Sequence, residues 1–154
     1  MNPISSRLIL VALSLALVAP PATAGDCLKM VFGKHCLGGE AEKDPETADD
    51  VTVRVHDGRT AWVERMYKPG NMLMYMTVIV QLEQKYGAGL DFDYFGGYHG
   101  REGLAVSRAQ GFGLRKWPMG QWEIRLTWVS PEGILLRYSD VVLEAAALKD
   151  DSDL

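Results

Sequence analysis

Apolar and polar residues follow a helical period in the stretch from Met72 to Tyr86. Its apolar side chains recur at steps of three and four residues, the spacing that places them on one face of a helix. Asn71 stands where a helix needs an N-cap acceptor, and Gly87 stands where a left-handed C-terminal residue is needed. This pattern predicts one main helix over residues 72–86.

The same stretch also has features of a strand. Met72, Met74 and Met76 stand at alternate positions, and residues 77–80 form a β-branched run. The length of the stretch and its polar C-terminal third favour the helix, because strands of this length are uncommon. The strand remains the alternative interpretation.

Two segments before the helix alternate with the period of two that is typical of strands. They are residues 51–55 and residues 60–67, and Asp57-Gly58 between them is a strong hairpin signal. Trp62 is the largest side chain that the second segment offers to a core. We therefore predict a two-stranded hairpin ahead of the main helix.

The clearest strand pattern lies near the C-terminus. Residues 122–129 alternate, a turn with Pro131 at its second position follows, and residues 134–138 return in phase. The apolar positions of this hairpin are Trp122, Ile124, Leu126, Trp128, Ile134, Leu136 and Tyr138. Asp140 then suits the N-cap of a short helix over residues 141–148.

Together these elements predict an α+β fold: an antiparallel sheet with one main helix packed on a face, a short C-terminal helix and glycine-rich loops. The loop glycines concentrate between Gly87 and Gly113. Within that region we expect short strands over residues 90–95 and 104–108, and otherwise irregular backbone. Long loops of this kind often carry binding surfaces.

Residues 1–24 have the features of a secretory signal peptide. Arg7 supplies the positive charge, and the apolar core over residues 8–19 is too short to span a bilayer comfortably. Small residues at positions 22–24 provide a cleavage site before Gly25. We expect a periplasmic or secreted bacterial protein with no transmembrane segment after signal cleavage.

The mature chain divides into three parts by composition. Residues 25–50 form a cysteine loop and an acidic connector, residues 51–148 form the α+β domain, and residues 149–154 form a flexible acidic tail. An even number of cysteines in an exported protein predicts a structural disulfide between Cys27 and Cys36. The gap between these cysteines is longer than the CxxC spacing of redox and metal sites.

Charge narrows the range of partners. The chain carries 16 basic and 20 acidic residues and has no polybasic segment. This composition argues against nucleic acid and against anionic membrane surfaces as partners. No cofactor is predicted.

We assign no catalytic residue from the sequence. It contains no HExxH motif, nucleophile elbow, P-loop or dinucleotide fingerprint. His56 beside Asp57 is better explained by a solvated turn, and Asp91 with Asp93 by the wet face of an edge strand. A hydrolase would need His56 or His99 beside an acid and a nucleophile in one cleft.

The three methionines of the main helix suggest a second chemistry. Thioethers select copper(I), and the sulfurs of Met72, Met74 and Met76 would share one face if the stretch were a strand. In a helix only Met72 and Met76 approach each other, and core packing explains them. A periplasmic copper(I)-binding protein is therefore the alternative functional hypothesis.

Aromatic and basic residues of the loops suggest a binding surface. Tyr98 and Trp117 have no periodic reason to be buried, and Arg101 and Arg115 lie near them in sequence. Their use in completing a small core is an equal alternative. Our main hypothesis is an exported, non-catalytic protein that binds another envelope protein, as an inhibitor, an immunity-type factor or an accessory factor.

Overall fold

The computed structural model describes residues 26–41 and 50–152. The predicted signal peptide and most of the predicted acidic connector lie outside these residues. In chain order the elements are β1 (Lys29–Val31), β2 (His35–Leu37), β3 (Val51–His56), β4 (Arg59–Tyr67), α1 (Met72–Tyr86), β5 (Leu90–Asp91), α2 (Glu102–Ser107), β6 (Gly113–Pro118), β7 (Trp122–Ser130), β8 (Gly133–Asp140) and α3 (Val141–Ser152). The predicted α+β class is confirmed.

Six of the strands form one antiparallel sheet in the order β3-β4-β8-β7-β6-β5, and β1 pairs with β2 in a separate hairpin. Both predicted hairpins, β3-β4 and β7-β8, are present. Asp57 and Gly58 join the first pair with positive φ angles of 48° and 73°. Two positive φ angles give a turn whose twist matches that of the strands, which is why Asp-Gly favours a hairpin at this point.

Helix α1 covers one face of the sheet, called here the core face. It buries Tyr75, Val78, Ile79 and Leu82 against the inward residues of the strands, among them Val63, Ile124, Leu126, Trp128, Ile134 and Leu136. Each such side chain contributes roughly 1.5–3 kcal/mol through removal from water. The helical prediction for residues 72–86 is confirmed, and the strand alternative is wrong.

The two ends of α1 are capped as the sequence predicts. The side chain of Asn71 accepts a hydrogen bond of 2.9 Å from the backbone N–H of Met74. At the other end Gly87 has a φ angle of 82°, and its N–H donates to the carbonyl of Glu83 at 2.9 Å. These caps satisfy backbone groups that the ends of a helix leave without partners.

Helix α3 lies on the opposite face, called here the second face. Its N-cap Asp140 accepts two hydrogen bonds of 3.0 Å from the backbone N–H groups of the first turn, as predicted. Ala147 and the partly buried Leu143 pack against Trp62 and Ala61. Trp62 and the core residue Val63 are neighbours on β4, so their side chains point to opposite faces of the sheet. The contact with Trp62 therefore places α3 across one end of the second face.

Several predicted boundaries are wrong. Residues 104–107 belong to α2 rather than to a strand. The regular pairing of residues 90–95 is limited to Leu90–Asp91, with an isolated bridge between Tyr94 and Phe112. Strand β6 was not predicted. Helix α3 continues through Ser152, so part of the predicted flexible tail is helical.

The predicted disulfide between Cys27 and Cys36 is confirmed, with Cα atoms 5.3 Å apart. It closes the β1-β2 hairpin, which was expected to be a loop and which buries Val31 and Leu37 in the main core. No helix within the described residues is long and apolar enough to cross a membrane.

Candidate functional site

A cluster of charged side chains around Arg115 ties α1 to the edge of the sheet. The Nη2 atom of Arg115 lies 2.8 Å from a carboxylate oxygen of Asp91 and 3.3 Å from one of Asp93, and its Nη1 lies 3.7 Å from Glu83. Tyr75 donates a hydrogen bond of 2.6 Å to the other oxygen of Asp93. One cation is therefore shared by three carboxylates that come from α1 and from the β5 segment.

Protonation within this cluster suits a structural role. Burial, together with the hydrogen bond to Asp93, raises the pKa of Tyr75 far above its usual value, so its hydroxyl stays protonated and donates. Burial lowers the pKa of Arg115, but the nearby charges of Asp93 and Asp91 outweigh it and raise that pKa overall. The backbone N–H of Leu114 also donates to Asp93, at 2.7 Å. The cluster thus holds a fixed arrangement of charges.

The β5 segment has the opposite orientation to the one expected. Asp91 and Asp93 do share a face, but that face turns towards Arg115 and α1, and the side chain of Asp93 is only 15% exposed. The alternate side chains Leu90, Phe92 and Tyr94 are instead 52%, 50% and 59% exposed. The apolar residues of this segment therefore lie on the second face of the sheet.

The four predicted binding residues are divided between two places. Tyr98 and Arg101 lie in the loop before α2, where the hydroxyl of Tyr98 donates to Gln110. Arg115 and Trp117 belong to β6. Within the described residues no hydrogen bond or ion pair joins Tyr98 or Arg101 to Arg115 or Trp117.

Trp117 is a core residue. It is 2% exposed, and its indole N–H donates a hydrogen bond of 2.9 Å to the carbonyl of Gly87. Of the two interpretations that the sequence leaves open for Trp117, its burial agrees with completion of the core and not with an exposed binding residue. Its register on β6 places it opposite Ile124, whose side chain is also in the core.

The histidines are distributed over separate parts of the fold. His56 has Asp57 at 3.5 Å and Asp150 at 3.6 Å on the two sides of its ring, at the tip of the first hairpin. His35 is buried in β2, and His99 is exposed in the loop before α2. Among the residues described, no group of three or more histidine, cysteine or acidic side chains is arranged to hold a metal ion.

The helix also sets the positions of the three methionines. Met72 and Met74 are partly buried against the core, whereas Met76 is 44% exposed. On a helix Met74 lies on a different side of the axis from Met72 and Met76. The exposure of Met76 contradicts the expectation that core packing explains this residue. The three-sulfur face that a strand would provide is therefore not formed by this stretch.

A second charged network fixes α3 to the second face. Glu144, which is 5% exposed, accepts a hydrogen bond of 2.5 Å from Arg137 and lies 3.3 Å from Arg125. The two arginines stand opposite each other on β8 and β7, and Glu64 and Glu123 contact them from the sides. Burial raises the pKa of Glu144, but hydrogen bonding, above all from Arg137, outweighs it and lowers that pKa.

Beside this network, a row of side chains crosses the second face without a covering helix among the described residues. Cross-strand register links Met66 to Leu135, Leu135 to Thr127 and Thr127 to Leu114, and the backbone N–H of Phe92 bonds to the carbonyl of Leu114. We call these five residues the open row. At about 4.8 Å between strands, the row is about 19 Å long.

Each end of the open row has a distinct neighbourhood. At the β5-β6 end, Tyr94 and Phe112 pair with ring centroids 6.1 Å apart, and Lys116 lies 5.9 Å from the ring of Phe92. At the other end a cavity of about 500 Å³ opens around Met66. It is lined by Asp50, Thr52, Glu64, Met66, Lys68, Glu132 and Leu135.

Sequence reasoning missed this surface, although a signal was present. The alternation of Leu90, Phe92 and Tyr94 with two aspartates shows that one face of the segment is apolar. The prediction that Asp91 and Asp93 form the wet face of this segment implied that Leu90, Phe92 and Tyr94 face the core, and that implication is wrong. Comparison of the chain with protein-family models, with curated proteins and with solved structures finds no match to any of them.

Proposed function

We propose that this protein acts by binding another protein of the bacterial envelope through the open row and its aromatic end. The observation that carries the proposal is the exposure of Leu90, Phe92, Tyr94 and Phe112, between 38% and 59%, at the β5-β6 end of the second face. Contiguous apolar patches on a small exported domain are typical of protein-binding sites.

The geometry of the β5 edge favours contact through the face over addition of a strand. The backbone N–H of Asp93 donates to the side chain of Asp91 at 2.9 Å, and regular pairing at this edge covers only two residues. A short edge strand with an occupied N–H is a poor template for another strand. The partner would therefore contact side chains rather than edge backbone.

The compartment belongs to the same proposal. The signal-like N-terminus and the disulfide between Cys27 and Cys36 both support an oxidising envelope location. The partner class would be an envelope protein that this chain inhibits, protects or assists.

Affinity capture from a native envelope extract tests the proposal when it compares single-residue variants. Wild type and Leu73→Ser should recover the same partner, because Leu73 is 79% exposed on α1, away from the open row. Phe92→Ser should lose that partner because it removes the aromatic anchor of the row. Repeated recovery of no partner, or equal recovery by Phe92→Ser, would contradict the proposal.

A further inference from the structure

The cavity at the β4 end of the open row has the size of a small-molecule site. Its volume of about 500 Å³ lies within the range of about 300–1,000 Å³ that is typical of sites for small ligands. Its apolar side chains are Met66 and Leu135, which stand opposite each other on β4 and β8. Every other lining side chain is polar or charged. The cavity therefore offers an apolar contact area together with groups that orient a ligand.

The charged groups of the lining fall into two kinds. Asp50 and Glu64 each have an arginine partner. Lys68 and Glu132 have no ion pair and no side-chain hydrogen bond within the described part of the chain. Because Lys68 and Glu132 have opposite charges, the lining together with the two arginines carries no formal net charge. A ligand that has one positive and one negative group fits this arrangement better than a simple cation or anion does.

The segments that carry the two unpaired groups are packed against each other. Lys68 follows the end of β4, and Glu132 lies in the turn between β7 and β8. The backbone N–H of Gly70 donates a hydrogen bond of 3.1 Å to the carbonyl of Pro131. A Cβ atom at Gly70 would lie 2.5 Å from the carbonyl oxygen of Ser130. Both charged side chains therefore start from backbone that is held in place beside the cavity.

From volume, apolar contact and charge together, we infer that the cavity binds a small apolar zwitterion, the chemistry of free amino acids and short peptides. The carboxylate of the ligand pairs with Lys68, and its ammonium group pairs with Glu132. Its apolar side chain contacts Met66 and Leu135. Hydrogen bonds between charged groups are roughly twice as strong as those between neutral groups, so both charges of the ligand contribute to affinity.

This inference goes beyond the proposed function, although Met66 and Leu135 also belong to the open row. The two proposals fail separately. A protein that binds no zwitterion but needs Phe92 for affinity capture would refute only the small-molecule site. A protein that binds the zwitterion but captures no envelope protein would refute only the proposed function.

Titration of the isotope-labelled mature protein, followed by its amide NMR signals, tests the site. The probes are L-leucine and the dipeptide L-leucyl-L-leucine, and the tighter of the two distinguishes a free amino acid from a short peptide. We expect a dissociation constant of about 1 mM or lower for at least one probe. The signals of Met66 and Leu135 should shift, whereas that of Phe92, at the other end of the open row, should not.

Two analogues of leucine test the need for both charges. Isoamylamine lacks the carboxylate, and isocaproate lacks the ammonium group. Each should bind about tenfold more weakly than the zwitterion, because one charged contact is lost. Equal affinity for either analogue would contradict the inferred pairing.

Variants assign the two charges to their residues. Lys68→Met and Glu132→Gln should each weaken binding of the zwitterion by about tenfold, whereas Lys68→Arg, which keeps the charge, should retain most of the affinity. Lys85→Met is the matched control, because Lys85 is exposed on α1, which covers the other face of the sheet. The same NMR spectra show whether each variant is folded.

Three results would overturn the inference. They are the absence of binding by both zwitterionic probes up to about 10 mM, signal shifts that exclude Met66 and Leu135, and wild-type affinity in both Lys68→Met and Glu132→Gln.

Discussion

Replacement of Arg115 by methionine should destabilise the fold, because three carboxylates would lose the cation that they share. Methionine keeps much of the side-chain length but removes the cation that lies within 2.8–3.7 Å of Asp91, Asp93 and Glu83. Asp93 would then retain its hydrogen bond from Tyr75, but no positive charge would balance the cluster. The link between α1 and the β5 edge would weaken.

The expected loss in the free energy of unfolding is about 2–3 kcal/mol. Removal of one partner from a fully buried ion pair costs about 3–5 kcal/mol. The side chains of Arg115 and Asp93 are 18% and 15% exposed, while that of Asp91 is 54% exposed, so solvent reduces this figure. For a urea dependence of about 2 kcal/mol per molar, the midpoint should fall by about 1–1.5 M.

Urea unfolding followed by tryptophan fluorescence measures this loss, since Trp117 and Trp128 are buried in the same core. Arg101→Met is the matched control: Arg101 is exposed, and its loss should cost less than about 0.5 kcal/mol. A cycle that combines Arg115→Met with Asp93→Asn should give a coupling energy of at least about 1 kcal/mol. An unchanged midpoint for Arg115→Met, or an equal loss for Arg101→Met, would refute the structural role.

Two further predictions concern α1 and α3. Gly113→Ala should lower the free energy of unfolding by about 1–3 kcal/mol, because a Cβ atom there would lie 2.5 Å from the ring of Tyr75. The thermal unfolding midpoint of this variant should fall. Gly103→Ala, which has room for a methyl group, should not lower the midpoint. Glu144→Gln should cost about 1–2 kcal/mol at neutral pH by weakening the contact with Arg137. Folding lowers the pKa of Glu144 from its unfolded value near 4.5. The contribution of Glu144 to stability is therefore present at pH values above the unfolded pKa, and it is lost as the pH falls through the pKa of the folded state. Urea midpoints of wild type and Glu144→Gln should therefore converge in acid, and a difference that stays constant down to pH 3 would contradict the assignment.

Local signals in the sequence were sufficient for much of the fold. The cap residues Asn71 and Gly87 act within a few positions of where they stand, and the positive φ angles of Asp57 and Gly58 need nothing beyond the turn itself. The alternating pattern of the last hairpin can also be recognised in the sequence, because all the side chains on its core face are apolar. Interactions between residues close in sequence determine elements of this kind, and these elements were predicted correctly.

The remaining elements depend on distant contacts. Strand β6 places Arg115 on the core face, where three carboxylates from other parts of the chain pair with its charge. A charged residue at a core-face position interrupts the alternation of apolar and polar residues by which a strand is recognised. The orientation of Asp91 and Asp93 follows from the position of Arg115 and α1, which no local pattern records. Helix α2 is only six residues long, too short for its period to be recognised.

The candidate site was missed for the same reason. Tyr98 and Arg101 belong to a loop without a hydrophobic pattern, whereas the open row consists of one residue from each of five neighbouring segments. Register between β4, β8, β7 and β6 brings Met66, Leu135, Thr127 and Leu114 into line. A single sequence contains no information on that register until the strand order is known.

Site-specific photo-crosslinking from the middle of the open row tests its use as a binding surface most directly. A benzophenone side chain introduced at Thr127, in the native cells, should give covalent adducts with a second protein chain. The same group at Leu73, on the outer side of α1, should give none. Adducts that form from Leu73 and not from Thr127 would show that the protein binds through α1, and that the open row is not its interaction surface.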